Sequence, residues 1–319
     1  MIGSPQATAR REAQGRLVQL ALDGQSAGAR VNGNVFPRFT AALFCLCASS
    51  GCGVLSTTTE LPPPPPARTA TRQELIDTIQ RIAAIQSMRA IIQITLTVQS
   101  EDRVRETRYR DARGALVLRR PGWIRTNAEV PGGIAKVYDM VSDGREFQVY
   151  VPFQNRVYQG VTDLIEISEN RFENIRPQHL LQAIMLDPIE DESRVILDIE
   201  MYGQSGYQVL HVVEDGPGDT LRIRRKYWFS RDDLKLSRLM ILDDQTEVAT
   251  DAWYRDWSED NGLPYPHELR IERPQDGYEV EIEISRPGLN ADVPDASFEL
   301  ALPRDVVVER IGDPEASSS

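Results

Sequence analysis

The chain has 319 residues, with 36 Lys and Arg against 48 Asp and Glu, a formal charge of −12, and 41% of it is hydrophobic. That composition excludes wholesale disorder and leaves room for one large β domain or two ordinary domains. The acidic balance argues against a nucleic-acid binder, which needs a basic footprint, and three Cys with three His argue against a disulfide scaffold or a multi-ligand zinc site.

Residues 1–30 carry Arg10, Arg11, Arg16 and Arg30 ahead of an export signal, which is unusually deep in the chain. A start at Val31 or Val35 would account for that depth. After Arg38 comes FTAALFCLCASSGC, from Phe39 to Cys52, holding all three cysteines: Cys45, Cys47 and Cys52. A basic residue, a short apolar core and a run of small residues form the pattern of a secretory signal. The apolar core is too short for a permanent membrane helix, which needs roughly 20 residues. The end of the signal resembles a bacterial lipobox, with Ser49, Ser50 and Gly51 before Cys52. The family usually has Leu where this chain has Ser49. The resemblance implies that Cys52 is acylated and becomes the first mature residue; a plain secretory signal cut nearby is the alternative. Cleavage before Cys52 removes five basic and two acidic residues and takes the charge from −12 to −15. An anionic membrane repels such a domain, so attachment would come from the lipid. Residues 1–51 are therefore read as extension and signal, and 52–70 as lipidated Cys and linker. The run Pro62 to Pro66 makes that linker a stiff polyproline spacer.

Residues 71–309 are read as one domain. Thr71 can cap a helix, with Glu74 completing a capping box. Leu75, Ile76, Ile79, Ile82 and Ala83 follow at helical spacing. From Ala90 the period changes to two: Ile92, Ile94, Leu96 and Val98 alternate with polar residues, as in an antiparallel strand with one dry face. Strand-like runs recur near 104–118, 123–130, 135–142, 146–152 and 156–160, separated by turn signals such as Pro121-Gly122, Pro131-Gly132-Gly133 and Asp143-Gly144. A helical break falls at about 162–187. Strands resume near 194–200, 207–213, 220–230, 235–243, 247–257, 266–273 and 278–286, the last holding the alternation of Val280, Ile282 and Ile284. Residues 310–319 are read as a loose, disordered tail.

A sheet this wide must curl, split or close, and two helices cover its apolar face only thinly. The expected fold is mainly β with helices: an incomplete, half-open antiparallel β-barrel of roughly 11 strands with a helical lid. Its concave side suits an apolar ligand. Ile92, Ile94, Leu96, Val98, Val280, Ile282 and Ile284 are the ligand-cavity candidates.

From about Thr71 to Val308 the chain resembles the LolA/LolB superfamily of bacterial lipoprotein carriers. The residues that carry the resemblance are the first helix with the Ile92 to Val98 strand, Leu118-Arg119-Arg120-Pro121-Gly122-Trp123-Ile124-Arg125, Val141-Ser142-Asp143-Gly144-Arg145-Glu146-Phe147, Val151-Pro152-Phe153-Gln154-Asn155-Arg156-Val157-Tyr158, Asn261-Gly262-Leu263-Pro264-Tyr265-Pro266 and Asp295-Ala296-Ser297-Phe298-Glu299-Leu300. The resemblance implies an incomplete barrel with helices over an apolar cavity, and acyl lipids or lipoproteins as partners. Cys52 places the chain nearer the lipid-anchored acceptor type at the periplasmic face of the outer membrane. That type has a protruding apolar loop, and Val130 and Ile134 occupy the matching place; a hairpin turn with both residues pointing inward is the alternative.

No G-x-S-x-G elbow, Walker loop, H-E-x-x-H or dinucleotide fingerprint is present. His179, His211 and His267 fall on separate elements. The acidic run Asp187, Glu190, Asp191, Glu192 lacks EF-hand spacing. Arg222, Arg224, Arg225 and Lys226 read as a wet rim with a weak claim on lipid phosphates, and the four Trp as core. No enzymatic activity, cofactor, metal or nucleic acid is expected. The first functional expectation is a lipid-anchored protein that accepts or carries acylated cargo. The second is a half-barrel that binds an envelope protein in assembly or stress signalling.

Overall fold

The computed structural model describes residues 67–99, 106–130, 132, 135–162, 174–203 and 205–311. The signal, Cys52, the polyproline run and Ile134 lie outside them. Helix α1 (Arg72–Ala83) starts as the sequence predicts: the Thr71 side chain accepts from the Glu74 backbone N–H, and the Glu74 carboxylate accepts from the Thr71 backbone N–H at 2.7 Å. Leu75, Ile76, Ile79, Ile82 and Ala83 are all buried. The chain just before it is already fixed. Ala70 exchanges two hydrogen bonds with the Gln208 amide, at 2.7 and 2.8 Å, and Arg68 N–H donates to the Arg231 carbonyl at 2.7 Å.

Six strands follow as one meander: β1 (Ser87–Gln99), β2 (Glu106–Arg119), β3 (Trp123–Glu129), β4 (Lys136–Ser142), β5 (Glu146–Val151) and β6 (Arg156–Val161). Helix α2 (Pro177–Ile184) intervenes. Seven more strands form a second meander: β7 (Val195–Tyr202), β8 (Ser205–Asp215), β9 (Leu221–Ser230), β10 (Leu236–Leu242), β11 (Val248–Asp260), β12 (Leu263–Arg273) and β13 (Tyr278–Leu289). A short β14 (Val307–Arg310) ends the described chain. The sheet order is β14-β6-β5-β4-β3-β2-β1-β13-β12-β11-β10-β9-β8-β7. The two meanders are joined at β1 and β13, where Ile92 faces Ile284, Ile94 faces Ile282 and Leu96 faces Val280.

Three expectations are corrected. The sheet has 14 strands among the described residues, not roughly 11: the strand-like runs read along the sequence each form one strand, and β14 is a short strand that no run marked. The sheet is not purely antiparallel, since β14 pairs parallel to β6. Arg310 is not part of a loose tail: it pairs with Gln159, and Ile311 N–H donates to the Gln159 carbonyl at 2.7 Å.

The sheet stays open, with β14 and β7 as edges, and α2 shows how strongly it curls. Tyr254 on β11 donates to the Ala183 carbonyl at 2.8 Å. From the other end of the same helix, the Gln178 amide donates to Ser142 Oγ on β4 at 3.0 Å. In a flat sheet β4 and β11, six strand spacings apart, would be separated by ~29 Å. The helix is only ~12 Å long. Both contacts therefore require the sheet to wrap around the helix. Leu180, Leu181, Ala183 and Ile184 of α2 join the same buried cluster as the α1 face and the β1–β13 seam. Replacing Tyr254 with Phe leaves the buried Ala183 carbonyl without its donor. Urea denaturation should show a loss of about 1–3 kcal/mol with an unchanged native circular dichroism spectrum.

Candidate functional site

Helix α2 begins at Pro177, whose fixed φ suits the first helical position. Its apolar side enters the core, and its polar side borders a cavity of about 740 Å³. Gln178, His179 and Gln182 contribute from the helix, Arg224 and Arg225 from β9, and Ile241 and Leu242 from β10. The turn from Asp243 to Glu247 forms the rim, with Asp244, Gln245 and Glu247 exposed. Gly122 and Gly144 close the opposite wall. They are the turn glycines of β2–β3 and β4–β5, and they meet backbone to backbone: a Cβ on Gly122 would lie 2.7 Å from the Gly144 Cα.

The lining is mixed. Leu181, Met185, Ile241, Leu242 and Ala249 are its apolar part. Five arginines (Arg120, Arg176, Arg224, Arg225, Arg273) face five carboxylates (Asp187, Asp243, Asp244, Asp276, Glu247). Arg225 pairs with Asp187 at 2.7 Å, Arg273 with Asp276 at 2.6 Å and Arg224 with Asp244 at 3.5 Å. The basic run is therefore neutralised by partners, and the acidic run supplies one of them. Gln178 Oε1 is buried and has no hydrogen-bond partner.

His179 has Nδ1 2.6 Å from the Tyr278 hydroxyl and 3.7 Å from Asp276 Oδ2. Burial, then the charges of Arg273 and Arg176, hold its pKa well below the ordinary 6.5. Burial also raises the Tyr278 phenol. The pair is thus neutral at neutral pH and positions the start of α2 against β13. The lowered histidine pKa sets the sign of a pH effect. Below about pH 6.5 the unfolded chain takes up a proton that folded His179 refuses, so stability is complete above that pH and is lost as pH falls. The slope from one such group is at most ~1.4 kcal/mol per pH unit. In denaturant melts between about pH 6.5 and pH 5, His179→Gln should flatten the decline by close to one proton's worth.

The cavity candidates from the sequence lie elsewhere. Ile92, Ile94, Val98, Val280, Ile282 and Ile284 are 1–7% exposed and belong to the packed cluster with both helices, while Leu96 is partly buried against it. None of the seven lines the 740 Å³ cavity. Val130 is buried, and its N–H donates to the Ala135 carbonyl at 3.0 Å, closing the β3–β4 turn. The tryptophans divide: Trp228 is buried and Trp257 packs against the core cluster, while Trp123 and Trp253 are only partly buried. Arg238 lies between Trp228 and Trp253, 4.9 and 5.1 Å from their rings, and Arg270 covers Trp253 at 4.7 Å. This ladder runs along the outer face of the sheet. A smaller hollow of 240 Å³ beside it is walled mainly by charged residues such as Arg255, Glu268 and Glu283. Among the described residues no helix is long and apolar enough to cross a membrane.

Neither a family model nor a curated protein sequence matches the chain. Solved structures do. One is a DUF1329 family protein from Desulfovibrio piger, at 12% identity and a TM-score of 0.46, over 72% of this chain and 95% of that one. Another is a LolA superfamily protein. It comes from Nitrosomonas europaea, with 12% identity and a TM-score of 0.42 over 73% of this chain and 99% of its own. A third is an outer membrane lipoprotein-sorting protein domain from Vibrio parahaemolyticus, at 10% identity and a TM-score of 0.40, over 72% of this chain and 97% of that one.

Proposed function

We propose that this protein is a lipid- or lipoprotein-binding protein of the bacterial envelope, tethered through an acylated Cys52 at the periplasmic face of the outer membrane, and that it is not an enzyme. The observation that carries the reading is the cavity beside α2. Its volume of about 740 Å³ lies within the ~300–1,000 Å³ usual for sites that enclose one small ligand. The lining offers an apolar strip from Leu181, Met185 and Ile241 next to arginines from β9, β12, the β2–β3 turn and the start of α2. An amphiphile uses both. Each methylene buried on the apolar strip contributes ~0.8 kcal/mol, and a phosphate or carboxylate head can exchange places with Asp187 or Asp244 on the guanidinium groups. Balanced ion pairs that must open for a head group favour reversible holding, which suits a carrier or acceptor better than a trap.

A second reading has its own observation. Edge strand β7 exposes Ile196, Ile199, Met201 and Tyr202, at 54–81% of their surface. An unpaired apolar edge can take up a strand from another protein. In that case the module binds an envelope protein, and the cavity is incidental.

Native mass spectrometry of the exported chain separates the readings. Co-purifying acyl species should be present, and Ala249→Trp, which fills the cavity from β11, should reduce them at least about tenfold, a loss of ~1.4 kcal/mol in affinity. A lipid-free wild type with no uptake from phospholipid micelles refutes the carrier reading.

A further inference from the structure

We propose that Asp198, Glu200 and His211 form a binding site for one divalent transition-metal ion, of the zinc class, on the outer face of the β7–β8 hairpin. Asp198 and Glu200 are two apart on β7 and so share a face. His211 on β8 is the register partner of Ile196, which puts it on that same face one step along. The three side chains bring a ring nitrogen and two carboxylate oxygens within 4.8 Å of one another.

The decisive group is His211. It is 8% exposed, and neither of its ring nitrogens has a hydrogen-bond partner. The other two histidines are satisfied: His179 by Tyr278, and His267 by the Ile284 carbonyl and Ser258 Oγ. Leaving a buried polar atom unpaired is costly, so an orphaned imidazole calls for a ligand. Its Nε2 faces Asp198 Oδ2 at 3.9 Å and Glu200 Oε1 at 4.0 Å. Those gaps are too long for hydrogen bonds. They match the space needed for an ion with bonds of ~2.0–2.2 Å to each donor after a small inward rotation.

Each carboxylate is also arranged for the task. Asp198 Oδ1 accepts the Ile199 N–H at 2.7 Å, which leaves Oδ2 for the ion. Glu200 Oε2 accepts the Trp228 indole N–H at 2.8 Å, which leaves Oε1. Trp228 is itself held under Arg238. Such outer partners orient ligands and are part of a metal site's construction. Asp198, 62% exposed in its side chain, gives an entry path from solvent. Lys226 Nζ, 3.9 Å from Glu200 Oε1, competes with the ion for that oxygen. An imidazole donor selects a transition metal over Ca²⁺ or Mg²⁺, which favour oxygen ligands.

The test is titration of ZnCl₂ into the untagged full-length chain by calorimetry, with Co²⁺ absorption as a second readout. One equivalent should bind. Asp198→Asn, at an exposed position that leaves the fold intact, and His211→Ala should each weaken binding at least about tenfold, since losing even an outer partner typically costs 10–100-fold. Lys226→Met should tighten it. Absence of binding, or binding that Asp198→Asn leaves unchanged, overturns the site. If His211→Ala fails to fold, the Asp198 and Lys226 variants decide the outcome.

Discussion

A wide sheet with one apolar face has to hide that face, and here eight residues of helix govern how. Helix α2 is tied to β4 through Gln178 and to β11 through Tyr254. Strands that would be far apart in a flat sheet are drawn onto the two sides of one short rod. The curl, the depth of the concave side and the position of the cavity all depend on that pinning.

The same constraint explains why the cavity is not oily. The apolar residues of the seam share one buried cluster with α1 and α2, and they are consumed as core. Space remains only where the helical cover ends, beside the polar side of α2. There the chain contributes turns and strand ends, which carry arginines, aspartates and glycines beside a few apolar residues such as Ile241 and Leu242. The lining therefore mixes a narrow apolar strip with ion pairs, and a guest suited to it has a tail and a head.

The outer face has a separate organisation. Trp228, Arg238, Trp253 and Arg270 stack across four strands, so large aromatic surface is covered by guanidinium groups rather than by core. At the β7 end this ladder runs into Glu200, which the Trp228 indole fixes. One edge of the sheet thus ends in exposed apolar residues and a neighbouring cluster of His211, Asp198 and Glu200.

Much of the architecture was legible because it is local. The capping box at Thr71 and Glu74 involves residues three apart, and the period-two alternation in Ile92 to Val98 marks a one-faced strand wherever it pairs. Turn glycines at Gly122 and Gly144 identify hairpins by backbone chemistry alone. The sequence by itself determined these elements, their order and their dry faces. Only the tertiary structure decided which dry residues become core and which line a cavity, that Gly122 touches Gly144, that β14 adds in parallel, and that His211 meets Asp198 and Glu200. The physical reason is range. Periodicity and capping act within a few residues, whereas cavity walls and side-chain clusters arise from strands whose neighbours are set by how far the whole sheet must bend to cover itself.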